Sequence, residues 1–171
     1  MCAGQGRDVI GALTGHPRRA DVRGILVEQD PVLVAVAREL ACAAGLPGIE
    51  VVEGDASWKS AYASVAPVDV LLVCGVFGNI SDDDVRATIF ELPSLLARGA
   101  AVLWTRHRMP PDLTPMIRVW FADAGFEEVA FDAEEGYAFG VGTMRFAGVP
   151  RPFGRDHRMF TFFGDGTAAH R

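Results

Sequence analysis

Between residues 25 and 125, short apolar runs alternate with stretches whose apolar residues recur at helical spacing. Residues 25–28 (ILVE) read as a strand ending on an acid, and residues 49–53 (IEVVE) as a second strand bounded by Gly48 and Gly54. Between them Asp30-Pro31 opens a helix: a capping carboxylate precedes a proline, which lacks an N–H that the first turn leaves unpaired anyway. Val32, Val36, Leu40 and Ala43 are predicted to form its buried stripe, and Gly45 to stop it. Residues 57–64 predict a short helix, broken before the next strand by Pro67. Residues 68–74 (VDVLLVC) are nearly all apolar, the pattern of a strand buried on both faces of a parallel sheet. Ser81 followed by Asp82, Asp83 and Asp84 marks a helix start, where the dipole favours negative charge. That helix is expected to run toward Leu96 with an interruption at Pro93 and to end near Gly99, followed by a strand over 100–105. Thr114-Pro115 repeats the cap-then-proline start, and Ile117, Trp120, Phe121 and Ala124 make one stripe that Gly125 ends.

Beyond Gly125 the pattern changes. Residues 126–131, roughly 140–146, and 159–163 predict strands with no clear helix between them. Successive βα units followed by terminal strands predict an α/β fold: a mostly parallel sheet sandwiched by helices, with an antiparallel element at its end. No linker or repeat divides the chain, so residues 1–163 are expected to form one domain and 164–171 a frayed tail.

Composition narrows the class. With 171 residues, half of them apolar and 22% charged, the chain can build a core without metals or disulfides. A net charge of −6 argues against a broad nucleic-acid footprint. Cys2, Cys42 and Cys74 lack metal-ligand spacing and read as small buried apolar residues in a reducing compartment. No apolar run reaches the ~20 residues of a membrane helix, and Met1 leads into a polar glycine-rich segment. A cytoplasmic protein without a membrane partner is the expectation.

The candidate chemistry begins at Gly4-Gln5-Gly6-Arg7-Asp8. Two glycines one residue apart permit a tight turn and let backbone N–H groups approach a ligand, and a helix starting near Arg7 aims its positive end at the same place. About 20 residues on, Glu28 ends the next strand, where an acid can accept hydrogen bonds from both ribose hydroxyls. Gly54-Asp55-Ala56 follows the second strand, within reach of an adenine amine, and Cys74-Gly75-Val76 follows the third.

This order resembles the class I S-adenosylmethionine (SAM) dependent methyltransferases, whose fold is Rossmann-like with a reversed terminal strand. The resemblance covers nearly the whole chain, with its specific motifs in the first half. It implies that Gly4, Gly6 and Asp8 lie in the glycine motif, that Glu28 holds the ribose, and that Asp55 with Ala56 binds the adenine. It places Cys74 and Gly75 at the cofactor and the run through Asn79 along the methyl-transfer site. Two features depart from the family. Cys2 stands where many members carry an acid near the methionine amine, and no apolar strand precedes the loop. In the family that strand is central, so the first central strand is expected to be absent from this sequence, with either residues upstream in the natural protein or a misassigned start.

At the end of the strand predicted over 100–105, Trp104, Arg106, His107 and Arg108 form a candidate acceptor site, with His107 as the candidate base. The bland alternative is a basic loop that pairs with nearby acids. Asn79 has the position of an acceptor-nitrogen ligand in some amino-methylating relatives, but their Asn/Asp-Pro-Pro-Tyr motif is missing, which argues for a small-molecule acceptor over a nucleic-acid base. The triple aspartate reads as a charged first turn, and no metal is expected. Two competing readings stay open. A nicotinamide-dependent oxidoreductase shares the glycine pair and Glu28, but Val9 stands where its third glycine belongs. The other is a non-catalytic domain that binds SAM or a protein partner.

Overall fold

The computed structural model describes residues 1–133 and 138–164; the predicted tail, apart from its first residue Gly164, lies outside the described residues. The chain divides into two compact units, Met1–Ala56 and Ser57 onward.

The first unit contains α1 (Arg7–Leu13), β1 (Gly24–Glu28), α2 (Pro31–Ala43) and β2 (Ile49–Glu53). β1 and β2 pair in parallel, from Gly24 opposite Ile49 to Glu28 opposite Glu53. The cap read from the sequence forms: Asp30 Oδ1 accepts from Val32 N at 2.8 Å and from Leu33 N at 3.3 Å. The predicted stripe of α2 is corrected. Its buried residues are Val34, Ala37 and Ala41, whereas Val32 is 68% exposed. The helix is apolar almost all round, so periodicity alone could not choose its face; packing against Ile10, Leu26, Leu46 and Val51 does. Cys42 is exposed, contrary to its expected burial, because it lies on the face turned from that cluster.

The second unit contains β3 (Val68–Val73), α3 (Asp82–Glu91), β4 (Leu96–His107), α4 (Thr114–Asp123), β5 (Phe126–Asp132) and β6 (Phe139–Phe146). Its sheet runs β3-β4-β6-β5, with β3 and β4 parallel and β6 antiparallel to both neighbours. Parallel βα units with a reversed terminal strand make this the expected Rossmann-like α/β class. Alternate residues of β4 and β6 (Val102, Trp104, Met144, Phe146) turn into the core, where Phe121 of α4 stacks on Trp104 at 5.9 Å. Among the described residues no helix is long and apolar enough to cross a membrane.

Several boundaries differ from expectation. The helix after Ser81 ends at Glu91, a 3-10 turn over Leu92–Ser94 absorbs Pro93, and β4 begins at Leu96, so Gly99 falls inside a strand. Residues 57–64 make only a 3-10 turn, Lys59–Tyr62. β3 is buried at Leu71 and Val73 but Val70 is 55% exposed, because β3 is an outer strand of its four-stranded sheet. Residues 159–163 form no strand. Their backbone amides find scattered partners: Met159 N donates to Ser57 O, Thr161 N to the Asp84 side chain in α3 and Phe163 N to Asn79 O. Only isolated bridges result, Trp58 with Arg158 and Ile80 with Phe162.

Candidate functional site

The predicted residues divide between the units. Gly4, Gly6, Asp8, Glu28, Asp55 and Ala56 lie in the first. Cys74, Gly75, Asn79, Trp104, Arg106, His107 and Arg108 lie in the second.

In the first unit the glycine loop is tied to the carboxyl end of β1. Ala3 N donates to Val27 O at 2.9 Å, and Gly6 N turns back to Ala3 O at 2.7 Å. Between these bonds Gly4 N donates to Glu28 Oε2 at 2.8 Å. The other carboxylate oxygen, Oε1, accepts from Gln29 N at 2.9 Å and Asp30 N at 3.0 Å. Gly4 and Gly6 are left-handed, with φ of 54° and 65°, which a side chain disfavours. They differ in surroundings: a Cβ on Gly4 meets nothing within 4 Å, whereas one on Gly6 comes within 2.6 Å of Leu26 Cδ1. Gly6 thus lets α1 start against the core, and Gly4 borders open space.

Gly54 N donates to Glu28 O at 2.9 Å, which sets the start of the Asp55 turn beside the end of β1. Asp55 is half-buried and Ala56 is buried, while Asp8 is exposed and accepts from Val9 N of its own turn. Cys2, also left-handed at φ 50°, lies within the electrostatic reach of both acids. Burial above all, then the Glu28 and Asp55 carboxylates, push its thiol up to about 11 against the pull of the chain's amino terminus. Cys2 therefore supplies no negative charge where an acid was noted as missing.

In the second unit, the loop after β3 is held by hydrogen bonds to β4 and to itself. Gly75 N donates to Thr105 Oγ1 at 3.0 Å, and Asn79 Nδ2 donates to Gly75 O at 2.7 Å. Arg106, only 9% exposed, donates through Nη1 to Phe77 O and approaches Asp82 at 3.8 Å. Burial lowers its guanidinium pKa, with Asp82 and Asp112 acting the other way. Its observed partners are thus the loop and the first aspartate of α3. Arg108 lies 3.6 Å from Asp112. Burial works against the Asp112 carboxylate, but the Thr114 amide and hydroxyl, together with Arg108, hold it below the usual carboxylate range.

Trp104 is fully buried, stacked between Phe121 and Phe131, so its ring packs the core. His107 is half-buried, and its ring edge lies against Gly78, where a Cβ would stand 3.3 Å from Cδ2. Its Nδ1 is buried with no hydrogen-bond partner among the described residues. The acidic turn is also spoken for: Asp84 accepts from Thr161 N and Asp82 faces Arg106. Among the described residues no group of three or more His, Cys, Asp or Glu is arranged to hold a metal.

Thr105 is the residue that the sequence reading missed. No sequence signal marks it, because the Val73–Trp104 register that sets its hydroxyl beside Gly75 is fixed only by the sheet.

No family model matches the sequence, and no curated protein matches it. Solved structures do match in shape. An O-methyltransferase family protein from Burkholderia thailandensis superposes with a TM-score of 0.68 at 17% identity, covering 88% of this chain and 50% of that one. The S-adenosylmethionine-dependent methyltransferase SibL gives a TM-score of 0.59 at 18% identity, over 88% of this chain and 49% of SibL. The ribosomal protein L11 methylase of Lactobacillus delbrueckii subsp. bulgaricus gives 0.61 at 15% identity, over 84% and 66% respectively. The chain thus spans about half the length of the first two proteins. At these identities the likeness concerns the fold, and the chain has the fold of the class I SAM-dependent methyltransferases.

Proposed function

We propose that this protein binds SAM and transfers its methyl group to a small-molecule acceptor, working in the cytoplasm with residues 1–163 as one SAM-binding domain. One observation carries the reading. The glycine loop, Glu28 and the Asp55 turn gather at the carboxyl ends of two parallel strands, the end of an α/β sheet at which ligands bind. The open space beside Gly4 suits a close-lying ligand, and two carboxylates suit a nucleoside that presents hydroxyl and amino donors.

When bound, SAM supplies an electrophilic methyl group on a sulfonium. The chain's own task is then to orient an acceptor lone pair, and proximity with alignment accounts for much of the rate. In this reading Gly4 and Gly6 hold the methionine part, Glu28 the ribose and Asp55 the adenine. Asn79 shapes the acceptor surface of the second unit, and His107 takes the acceptor's proton. Arg108, half-exposed and 3.6 Å from Asp112, is the cation proposed to meet an anionic acceptor, because Arg106 is buried and engaged with Phe77.

The test is calorimetric titration of the full chain with SAM and S-adenosylhomocysteine (SAH). Micromolar binding that is lost in Asp55→Ala and Glu28→Ala is the expected result. Binding of NADH with no binding of SAM or SAH would overturn the proposal in favour of a nicotinamide site.

A further inference from the structure

We infer that Glu28 is the latch of the glycine loop and reads only one of the two ribose hydroxyls, an inference that rests on the adenosyl ligand proposed above. A carboxylate offers about four lone-pair sites, two on each oxygen. Among the described residues, backbone amides of the chain itself occupy three. Oε1 is filled by the amides of Gln29 and Asp30, and Oε2 carries the amide of Gly4 at 2.8 Å. One site remains, on Oε2.

A vicinal diol facing a free carboxylate places one hydroxyl on each oxygen. Here Oε1 has no site left, so one hydroxyl bonds to Oε2 and the other finds no acceptor on Glu28. The same count explains the loop. Gly4 lies between two backbone anchors, Ala3 N to Val27 O and Gly6 N to Ala3 O, and its own N–H points to Glu28. The bond is charge-assisted, the stronger kind, and holds a left-handed residue beside the open space before any ligand arrives. Glu28 thereby acts as a positioning residue for the loop and a specificity residue for the ribose.

The ligand arm uses the unaltered full chain with SAH, 2′-deoxy-SAH and 3′-deoxy-SAH in calorimetric titrations. A hydrogen bond to a charged group corresponds to about tenfold or more in Kd. One deoxy analogue is expected to bind at least about tenfold more weakly than SAH, and the other within about threefold. Equal losses for both analogues, or no loss for either, overturn the single-hydroxyl reading. A purely structural Glu28 would leave both analogues unaffected.

The latch arm is amide hydrogen exchange, which needs no ligand. In the unaltered protein Gly4 N–H is expected to exchange slowly, and in Glu28→Ala about tenfold or more faster, with α2 still protected. Exchange of Gly4 at the rate of a free chain in the unaltered protein overturns the latch, as does an unchanged rate in a variant whose α2 is intact. If SAH fails to bind the unaltered protein while Gly4 is protected, the adenosyl proposal and the ribose reading fall and the latch stands. The failures are thus separable.

Discussion

The two glycines of the loop make a matched pair for separating packing from ligand contact. Gly4 and Gly6 are both left-handed, so replacing either with alanine costs about 1–2 kcal/mol of backbone strain. At Gly4 that is the whole cost, since the added methyl meets nothing within 4 Å. At Gly6 the methyl lands 2.6 Å from Leu26 Cδ1 and 3.2 Å from Ile10 Cδ1. Both contacts are the far ends of flexible side chains, which can yield part of the way within the first unit's core. Overpacking of this kind costs about 1–3 kcal/mol, and the lower half of that range applies where side-chain ends can yield. Gly6→Ala should therefore lose about 2–4 kcal/mol, against about 1–2 for Gly4→Ala. Urea unfolding, followed by circular dichroism, measures both. Because a domain has a net stability of only about 5–15 kcal/mol, the difference is easily resolved. SAH affinity should rank the variants differently: the Gly4 methyl enters the space proposed for the cofactor, and its Kd should rise about tenfold or more. Equal urea midpoints for the two variants would refute the packing argument, and unchanged SAH binding by Gly4→Ala would refute the loop as a cradle.

Three further outcomes are expected. Gly142→Ala puts a methyl 2.1 Å from Cε2 of Trp104, a rigid, fully buried ring that neighbouring aromatics hold, so unfolding should show a loss of about 2–3 kcal/mol; a neutral result would mean that β6 can shift away from β4. With its thiol raised to about 11, Cys2 should resist iodoacetamide at pH 8 while exposed Cys42 is labelled, as peptide mass spectrometry can check; equal labelling contradicts the reading. Lys59, 3% exposed, donates to Glu91 at 2.6 Å, and Lys59→Met should cost about 2–3 kcal/mol, less than the ~3–5 for breaking a fully buried pair because Glu91 keeps Ser94 and Arg151. Burial raises the Glu91 carboxyl pKa, but Lys59, Ser94 and Arg151 outweigh it and hold it below the usual value. That stabilisation is present above the unfolded carboxyl pKa of about 4.3 and is lost as pH falls through the lower folded value, so the gap between Lys59→Met and the unaltered protein should close in acid.

The parts legible in the sequence were those decided by a few neighbouring residues. Asp30-Pro31 specified a helix start because a cap and a proline act within one turn. The strands at 49–53 and 68–73 were legible because short apolar runs between breakers have few alternatives. The order of the glycine pair, Glu28 and Asp55 pointed to one end of a sheet, and within the first unit the fold joins Gly4 to Glu28 and sets Gly54 beside it. Only the tertiary structure decided what depends on residues far apart in the chain. It chose Val34, Ala37 and Ala41 as the buried face of a helix that is apolar nearly all round. It committed residues 159–163 to scattered contacts in place of a strand, and turned Arg106 from an exposed cation into a buried anchor for Phe77. It also filled Oε1 of Glu28 with two backbone amides, which no spacing rule reveals. Periodicity and capping are local and can be read from the chain; the partner that satisfies a buried polar group is chosen by whatever the fold brings within hydrogen-bond distance.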